Sequence, residues 1–264
     1  MERSRVPGLI NSPTSCSSCR NAEPLPFEFS YAYQPIVDVG ARAIYAHEAL
    51  VRGPGGEPAG SVLAQVNDDN RYRFDQACRV RAIEIATRLG MQSRLSINFL
   101  PNAIYRPELC IRSTLEAARK YGFPIERIVF ETVEGERVND GKWLAEILRE
   151  YQRIGFLTAI DDFGAGFAGL NLLADFQPDL IKLDMDLIRD IDRHPARQAI
   201  VRGVTGICAE LGIEVIAEGV EREDEMRCLS DLGIVLMQGY LFSKPLFETC
   251  GRPETIDWPA SPAR

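Results

Sequence analysis

The chain has 264 residues, of which 45% are hydrophobic and 26% are charged, the composition of an ordinary globular protein. Its 30 basic and 38 acidic residues give a formal net charge of −8, so the surface as a whole repels nucleic acid and anionic lipid. Composition therefore argues against a long nucleic-acid partner, and no apolar run approaches the ~20 residues that span a bilayer. An anionic small molecule could still bind where divalent cations reverse the local field.

The cysteines indicate a reducing compartment. There are seven of them, an odd number in a chain too large to need disulfide staples, which favours free thiols in a cytosolic protein. The N-terminus also lacks the basic-then-apolar pattern of a secretory signal. We therefore expect a cytoplasmic protein.

The chain divides into one large domain and two terminal segments. Residues 1–26 are rich in Ser, Pro and Cys and predict a flexible N-terminal segment. This segment holds a lone Cys-x-x-Cys pair, Cys16 and Cys19, for which we expect neither a metal nor a catalytic role, because no second pair follows at zinc-site spacing. Prolines 253, 259 and 262 indicate a Pro-rich C-terminal tail over residues 249–264. The folded domain is expected over residues 27–248.

Within these limits, short β-type runs alternate with longer helical patterns. The predicted strands are Tyr31–Val37, Ile44–Leu50, Leu95–Leu100, Ile128–Thr132, Leu157–Asp161, Leu180–Asp184, Glu214–Ala217 and Ile234–Met237. The predicted helices are Arg71–Leu89, Pro107–Tyr121, Gly141–Ile154, Ala196–Leu211 and Arg222–Leu232. Each helix is followed by a glycine, the residue most typical of helix C-termini.

This alternation predicts βα units around a parallel sheet. Either a (β/α)8 barrel or a doubly wound open sheet would show it, and periodicity does not decide between them. Only residues 38–42 separate the first two runs, too few for a helical crossover. These two runs are therefore predicted to pair as an antiparallel hairpin.

Nearly every predicted strand ends on a residue able to bind metal or phosphate. In an α/β barrel these ends converge on one mouth. Singly, each such residue is better explained as a solvated loop residue or a helix cap, but seven strand ends in succession favour a common site. The residues, in chain order, are Glu48, Asn98, Glu131, Asp161 with Asp162, Lys182 with Asp184, Glu218, and Gln238.

The ligand types indicate the metal. Oxygen donors alone suit Mg²⁺ or Mn²⁺, and with only two histidines, His47 and His194, zinc is disfavoured. Adjacent carboxylates such as Asp161 and Asp162 can bridge two cations roughly 3.5 to 4 Å apart, as enzymes do for in-line displacement at phosphorus. Lys182 could be a buried ion-pair partner or could orient water or phosphate, and its place among the ligands favours the second role.

These residues carry a resemblance over about residues 29–247. The sequence resembles EAL-domain cyclic di-GMP phosphodiesterases in the following segments: Gln34-Pro35-Ile36, Glu48-Ala49-Leu50-Val51-Arg52, Ile97-Asn98, Glu131-Thr132-Val133-Glu134, Asp161-Asp162-Phe163-Gly164, Ile181-Lys182-Leu183-Asp184, Ala217-Glu218-Gly219-Val220-Glu221 and Gln238-Gly239-Tyr240-Leu241-Phe242. The resemblance implies a modified TIM (β/α)8 barrel with one antiparallel strand. It also implies hydrolysis of cyclic di-GMP to linear pGpG with two Mg²⁺ or Mn²⁺ ions, and inhibition by Ca²⁺.

The same resemblance assigns roles to individual residues. It implies that Glu48, Asn98, Glu131 and Asp161 hold the first metal, and that Asp161, Asp162 and Glu218 surround the second. Lys182 would hold the attacking water and Glu218 would act as general base. Substrate would be contacted by Gln34, Leu50, Arg52 and Gln238. Asp184 and Glu221 would support the ligands from behind.

Two further expectations follow from the resemblance. Segment 162–176 would form a homodimer interface coupled to the metal site, with Glu134 as its inner anchor, although the segment could equally be a βα loop and a helix packed on the barrel. The alternative to an enzyme is a catalytically silent receptor for cyclic di-GMP. Because the chain retains every carboxylate of the motifs, catalysis is the favoured hypothesis.

Overall fold

Eight strands close into a barrel in the computed structural model, which describes residues 24–104, 106–133, 141–165 and 169–259. The strands are β1 Ser30–Asp38, β2 Ala43–Arg52, β3 Arg94–Asn98, β4 Ile128–Val133, β5 Leu157–Phe163, β6 Leu180–Leu183, β7 Glu214–Ala217, β8 Leu236–Met237 and β9 Leu246–Phe247. The first eight pair in sequence order, and β1 closes the ring between β2 and β8.

One strand runs against the others. β1 pairs antiparallel with both β2 and β8, whereas β2 to β8 are mutually parallel. The predicted hairpin and the predicted barrel with one antiparallel strand are confirmed, and the doubly wound open sheet is excluded. The short β9 adds to the outside of this ring by pairing with β1 at Ala32 and Tyr33.

Helices cover the barrel between the strands. They are α1 Ala59–Leu63, α2 Arg71–Arg88, α3 Pro107–Cys110, α4 Arg112–Tyr121, α5 Gly141–Ile154, α6 Gly169–Asp175, α7 Met185–Ile188, α8 Pro195–Leu211 and α9 Glu223–Asp231. Four of the predicted helices agree within one residue at each end. The predicted Pro107–Tyr121 helix is divided in two, with Ile111 as the break between α3 and α4.

Glycine ends two of these helices by adopting a left-handed conformation. Gly122 after α4 has φ 73°, and Gly212 after α8 has φ 72°, a region that costs other residues free energy because of their Cβ atom. The chain can then turn back toward the sheet within one or two residues. This explains why the glycine positions located the helix ends in the sequence.

Most of the hydrophobic core lies between the sheet and the helices, where aromatic and aliphatic side chains from both layers are fully buried. The core extends past the predicted domain end at residue 248. Ile256 is 6% exposed, and the Asp257 amide donates to the Phe242 carbonyl oxygen. The described part of the predicted tail thus packs on the barrel.

The boundaries at residues 26 and 248 stay predictions, and Cys16, Cys19 and Glu134 lie outside the described residues. Among the helices of the described ranges, none is both long and apolar enough to cross a bilayer.

Candidate active site

A layer of apolar side chains fills the barrel below the site. Seven strands contribute one residue each to this cluster, namely Ile36, Ala46, Val129, Ala159, Leu180, Ile216 and Leu236. Because side chains alternate along a strand, the residue two positions nearer the mouth shares the same inward face. Because the lower layer is apolar, the polar groups that could act chemically at the mouth of the barrel must come from this next layer.

The next layer is polar throughout. It consists of Gln34, Glu48, Ser96, Glu131, Asp161, Lys182, Glu218 and Gln238, all buried except Glu218, which is half-buried. The sequence predicted all of these except Ser96. All but Ser96 lie two positions nearer the mouth than a residue of the apolar layer, so the strand-end residues among them converge as predicted.

Lys182 stands at the centre of this layer. Its side chain is 0% exposed, and its Nζ lies 2.7 Å from Glu218 Oε1, 3.1 Å from Asp161 Oδ1, 3.3 Å from Glu131 Oε2 and 3.4 Å from Glu48 Oε2. Burial alone would lower the pKa of Lys182, but the four carboxylates raise it well above its ordinary value. The ammonium group is therefore charged and holds the acidic side chains together.

The carboxylates form two groups of three that share one member. Ligand oxygens of Glu48, Glu131 and Asp161 lie within 4.8 Å of one another, and so do those of Asp161, Asp162 and Glu218. Asp161 belongs to both groups. An arrangement of this kind can hold two cations with one carboxylate between them.

Hydrogen bonds fix the first group. Asn98 Nδ2 donates to Glu48 Oε1 at 3.1 Å, and Gln238 Nε2 donates to Glu48 Oε2 at 2.8 Å. The Ser96 hydroxyl donates to Glu131 Oε1. Hydrogen bonds from neighbouring side chains thus orient Glu48 and Glu131, as is usual for side chains that bind metal ions.

Ser96 is the member of the site that sequence reasoning missed. A single serine inside a strand carries no signal of its own. The alternation rule could have found it, since Ser96 lies two residues before Asn98 on β3 and therefore on the same face.

The end of β5 is irregular. Asp162 has φ 52°, its amide donates to Asp161 Oδ1 at 3.0 Å, and the pairing of β5 with β6 shifts between Ile160 and Phe163. In a regular strand Asp162 would face away from Asp161. The irregularity brings both carboxylates to one side, which agrees with the expectation that the strand unwinds here.

The charge balance of the site calls for a cation. Burial raises the pKa of Glu131 to about 8, against the effect of Lys182, and Glu48 and Asp161 add to the rise. Burial also raises the pKa of Glu218 well above its ordinary value. One ammonium group does not compensate five clustered carboxylates, whereas oxygen-binding divalent ions would. The donor set therefore fits Mg²⁺ or Mn²⁺.

The predicted substrate residues lie around the same mouth. Leu50 and Arg52, at the end of β2, line a cavity of about 280 Å³ together with Leu63, Val66 and Leu100. Gln34 Nε2 donates to the Ser243 carbonyl oxygen at 3.2 Å. Gln238 Oε1 is buried and accepts no hydrogen bond from the described residues, so it retains an acceptor for a ligand.

The predicted supporting residues differ in position. Asp184 caps α7, where its Oδ1 accepts from the Asp186 amide at 2.9 Å, and its charge contributes to the raised pKa of Asp162, after burial and Asp161. Glu221 is exposed, and its backbone amide donates to Glu225 Oε2. The structure thus records a link to the site for Asp184, and the supporting role of Glu221 stays a prediction.

Solved structures resemble this chain closely. A standalone versatile EAL protein of Vibrio cholerae, in its cyclic di-GMP-bound form, has 53% identity and a TM-score of 0.84 over 87% of this chain and 97% of that one. BlrP1 of Klebsiella pneumoniae, in a complex with manganese and cyclic di-GMP at pH 9.0, has 36% identity and a TM-score of 0.79 over 85% of this chain and 58% of that one.

Curated relatives point the same way. The blue light- and temperature-regulated antirepressor BluF of Escherichia coli is 34% identical over 230 residues, 87% of this chain and 56% of that protein. Three further relatives, from Escherichia coli, Pseudomonas aeruginosa and Shewanella oneidensis, are named cyclic di-GMP phosphodiesterases and are 28% to 30% identical. The chain spans about half or less of the length of the curated relatives it matches. The EAL domain family matches residues 26–245, and this chain belongs to that family.

Proposed function

We propose that this chain is a metal-dependent phosphodiesterase that hydrolyses cyclic di-GMP to linear pGpG. The observation that carries the proposal is the pair of carboxylate groups that share Asp161 around the buried Lys182. Relatives named as cyclic di-GMP phosphodiesterases support the reaction. The structures solved with cyclic di-GMP, one of them with manganese, support the ligands.

Each group would hold one ion. Glu48, Asn98, Glu131 and Asp161 would bind the first, and Asp161, Asp162 and Glu218 the second. Such ions, when bound, polarise a phosphoryl group and activate water near neutral pH. Ca²⁺ would enter the same site and inhibit, because it prefers longer bonds and more ligands.

The protein's own residues would position and deprotonate the nucleophile. Lys182 Nζ, fixed by four carboxylates, would donate a hydrogen bond to the attacking water, and Glu218, 2.7 Å from that ammonium group, would accept the water's proton. The water oxygen would form the new bond to the phosphorus of one phosphodiester group as the bond from that phosphorus to a ribose 3′ oxygen breaks, and the leaving oxygen would take up a proton to become the 3′ hydroxyl. The linear product would keep the second phosphodiester group.

Substrate would be held at the mouth of the barrel. Arg52 would bind a phosphate, for which the guanidinium group is well suited. Leu50 would contact a base where it lines the cavity of about 280 Å³. Gln34 and Gln238 would hydrogen-bond to substrate or water.

The decisive experiment is incubation of the purified protein with cyclic di-GMP and Mg²⁺, followed by chromatography for pGpG. The expected result is pGpG formation that stops on chelation and is absent from the Glu131→Gln variant. Calorimetric titration with cyclic di-GMP in Ca²⁺ would run beside it. Binding without product in Mg²⁺ would support the silent receptor, and neither binding nor product would overturn both functions.

One observation favours that second candidate. BluF is named an antirepressor, so a relative with a similar domain acts in regulation. A silent receptor would need the ligand site without catalysis. The complete set of carboxylates around Lys182 supports the phosphodiesterase instead.

We also propose a homodimer through segment 162–176. In its described part, Leu172, Leu173 and Phe176 are buried on the barrel, whereas Leu170 is 59% exposed. In the described part of the segment, Leu170 is thus a side chain that a second copy could contact. A Leu170→Arg variant should sediment as a monomer in analytical ultracentrifugation, whereas the parent protein should sediment as a dimer.

We also propose a cytoplasmic location, since the five cysteines of the described ranges are free thiols.

A further inference from the structure

We propose that a buried ion pair on α2, Asp75 with Arg79, positions the predicted metal ligands Asn98 and Glu131 from behind the barrel wall. The inference rests on the proposed function, because it assigns these ligands to a metal site. Asp75 lines the cavity of about 280 Å³ near Asn98, but neither residue belongs to the carboxylate groups around Lys182. Both are therefore positioning residues rather than catalytic ones.

The pair is shut off from solvent. Asp75 is 1% exposed and Arg79 is 0% exposed, and Arg79 Nη2 lies 2.8 Å from Asp75 Oδ2. Four residues apart on one helix, they share a face. This face is directed at the sheet, not at water.

Asp75 holds the chain just beyond Asn98. Its Oδ1 accepts a hydrogen bond from the Leu100 amide at 3.0 Å. Leu100 lies two residues after Asn98, beyond the end of β3. Asp75 thus sets the direction in which the chain leaves the strand, and with it the position of Asn98.

Arg79 holds the neighbourhood of Glu131. Its Nη1 donates to the Tyr151 hydroxyl at 2.8 Å, and its Cζ lies 5.0 Å from the ring centroid of Phe130 and 5.5 Å from that of Phe99. Phe130 directly precedes Glu131, and the Phe99 amide donates to the Glu131 carbonyl oxygen at 3.0 Å. One guanidinium group therefore joins the two strand ends that carry Asn98 and Glu131.

Stability alone does not account for such a pair. Replacing a buried ion pair with apolar side chains of similar volume is often neutral or stabilising, because the desolvation of two charges offsets their attraction. A purely structural role predicts that such a replacement is harmless. A positioning role predicts instead that the fold survives while metal affinity falls.

The test compares two double variants that differ only at position 75. Asp75→Leu/Arg79→Met removes the acceptor for the Leu100 amide, whereas Asp75→Asn/Arg79→Met keeps a side-chain oxygen there. Mn²⁺ binding is titrated by electron paramagnetic resonance of the free ion, and unfolding is followed by circular dichroism. Hydrogen exchange of segment 98–104 reports on the Leu100 amide without any metal.

We expect the Leu variant to bind Mn²⁺ about 10-fold more weakly or worse, the range typical of groups behind metal ligands, with a midpoint of unfolding near that of the parent. Exchange in segment 98–104 should rise in the Leu variant, and affinity and protection should largely return in the Asn variant. Arg81→Met/Glu84→Leu is the matched control, a half-buried pair on the same helix, and should change none of these measurements.

Folded Asp75→Leu/Arg79→Met protein with parental Mn²⁺ affinity and parental exchange would overturn the inference. If that variant does not fold, Asp75→Ala/Arg79→Met replaces it with the same two outcomes. The proposed function fails separately, by absence of Mn²⁺ binding and of pGpG in the parent protein. In that event the exchange of segment 98–104 still decides whether the pair positions this segment.

Discussion

Lys182 Nζ and Glu218 Oε1 are 2.7 Å apart at the centre of the barrel mouth. The lysine is fully buried, whereas the Glu218 side chain is 17% exposed, so this pair connects the interior of the site to its opening. Three more carboxylates contact the same ammonium group. Lys182 is therefore the internal counter-charge of the acidic side chains, and the proposed mechanism gives it a second role, the orientation of a water molecule.

Replacing Lys182 with methionine tests both roles. Removing one partner from a buried ion pair typically costs about 3–5 kcal/mol, so Lys182→Met should lower the free energy of unfolding and abolish hydrolysis. Mn²⁺ should raise the melting temperature more in this variant than in the parent, because the ions replace the lost charge. Thermal unfolding with and without Mn²⁺ measures this. The exposed control Lys120→Met should show the same Mn²⁺-induced rise in melting temperature as the parent. An equal rise in Lys182→Met and the parent would contradict the counter-charge role.

The shared carboxylate predicts a ranking of variants. Asp161→Asn weakens both carboxylate groups and Glu48→Gln only one, so both should reduce hydrolysis by at least about 100-fold, the upper end of what a group behind a ligand costs. The stoichiometry of bound Mn²⁺ should fall further in Asp161→Asn. Glu146→Gln, an exposed carboxylate on α5, serves as control. Near-parental turnover of either site variant at saturating Mg²⁺ would rule out the ligand assignment.

Much of the site was predictable because two simple periodicities combine. Strand limits follow from apolar runs, and inward faces follow from alternation, so Glu48, Glu131 and Lys182 could be placed at one mouth from sequence. The closure of the sheet could not, because βα alternation is common to barrels and open sheets. The recognisable motifs of the family, rather than periodicity, decided that question.

The missed features depend on tertiary contacts. Helices of four to seven residues, such as α1 and α7, are too short to show a 3.6-residue period. The break at Ile111 between α3 and α4 has no proline or glycine to mark it. The pairing of Asp75 with Arg79 could be read from their spacing, but their burial against β3 and β4 could not.

Buried thiols should react more slowly with alkylating reagents than partly exposed thiols, for a reason unrelated to the active site. Burial raises the pKa of Cys78 to about 12, so at pH 8 its thiolate fraction is on the order of one in ten thousand and should rise tenfold per pH unit below that pKa. Cys228 is only partly buried. In the folded protein at pH 8, iodoacetamide should therefore label Cys228 well before Cys78, as measured by peptide mass spectrometry, and urea should remove the difference. Equal labelling rates in the folded protein would contradict this.

The choice of metal should follow from the small number of ligands in the two carboxylate groups. Each group offers three carboxylates, a small set that suits Mg²⁺, which keeps several water ligands, and the similar preferences of Mn²⁺, whereas Ca²⁺ takes six to eight ligands at 2.3–2.6 Å. We expect turnover with Mg²⁺ or Mn²⁺ and inhibition by Ca²⁺ that competes with Mg²⁺. Initial rates of pGpG formation over a matrix of Mg²⁺ and Ca²⁺ concentrations would measure the competition, with Na⁺ at equal ionic strength as the control. Comparable rates with Ca²⁺ alone would show that the number of protein ligands does not set the metal preference of this site.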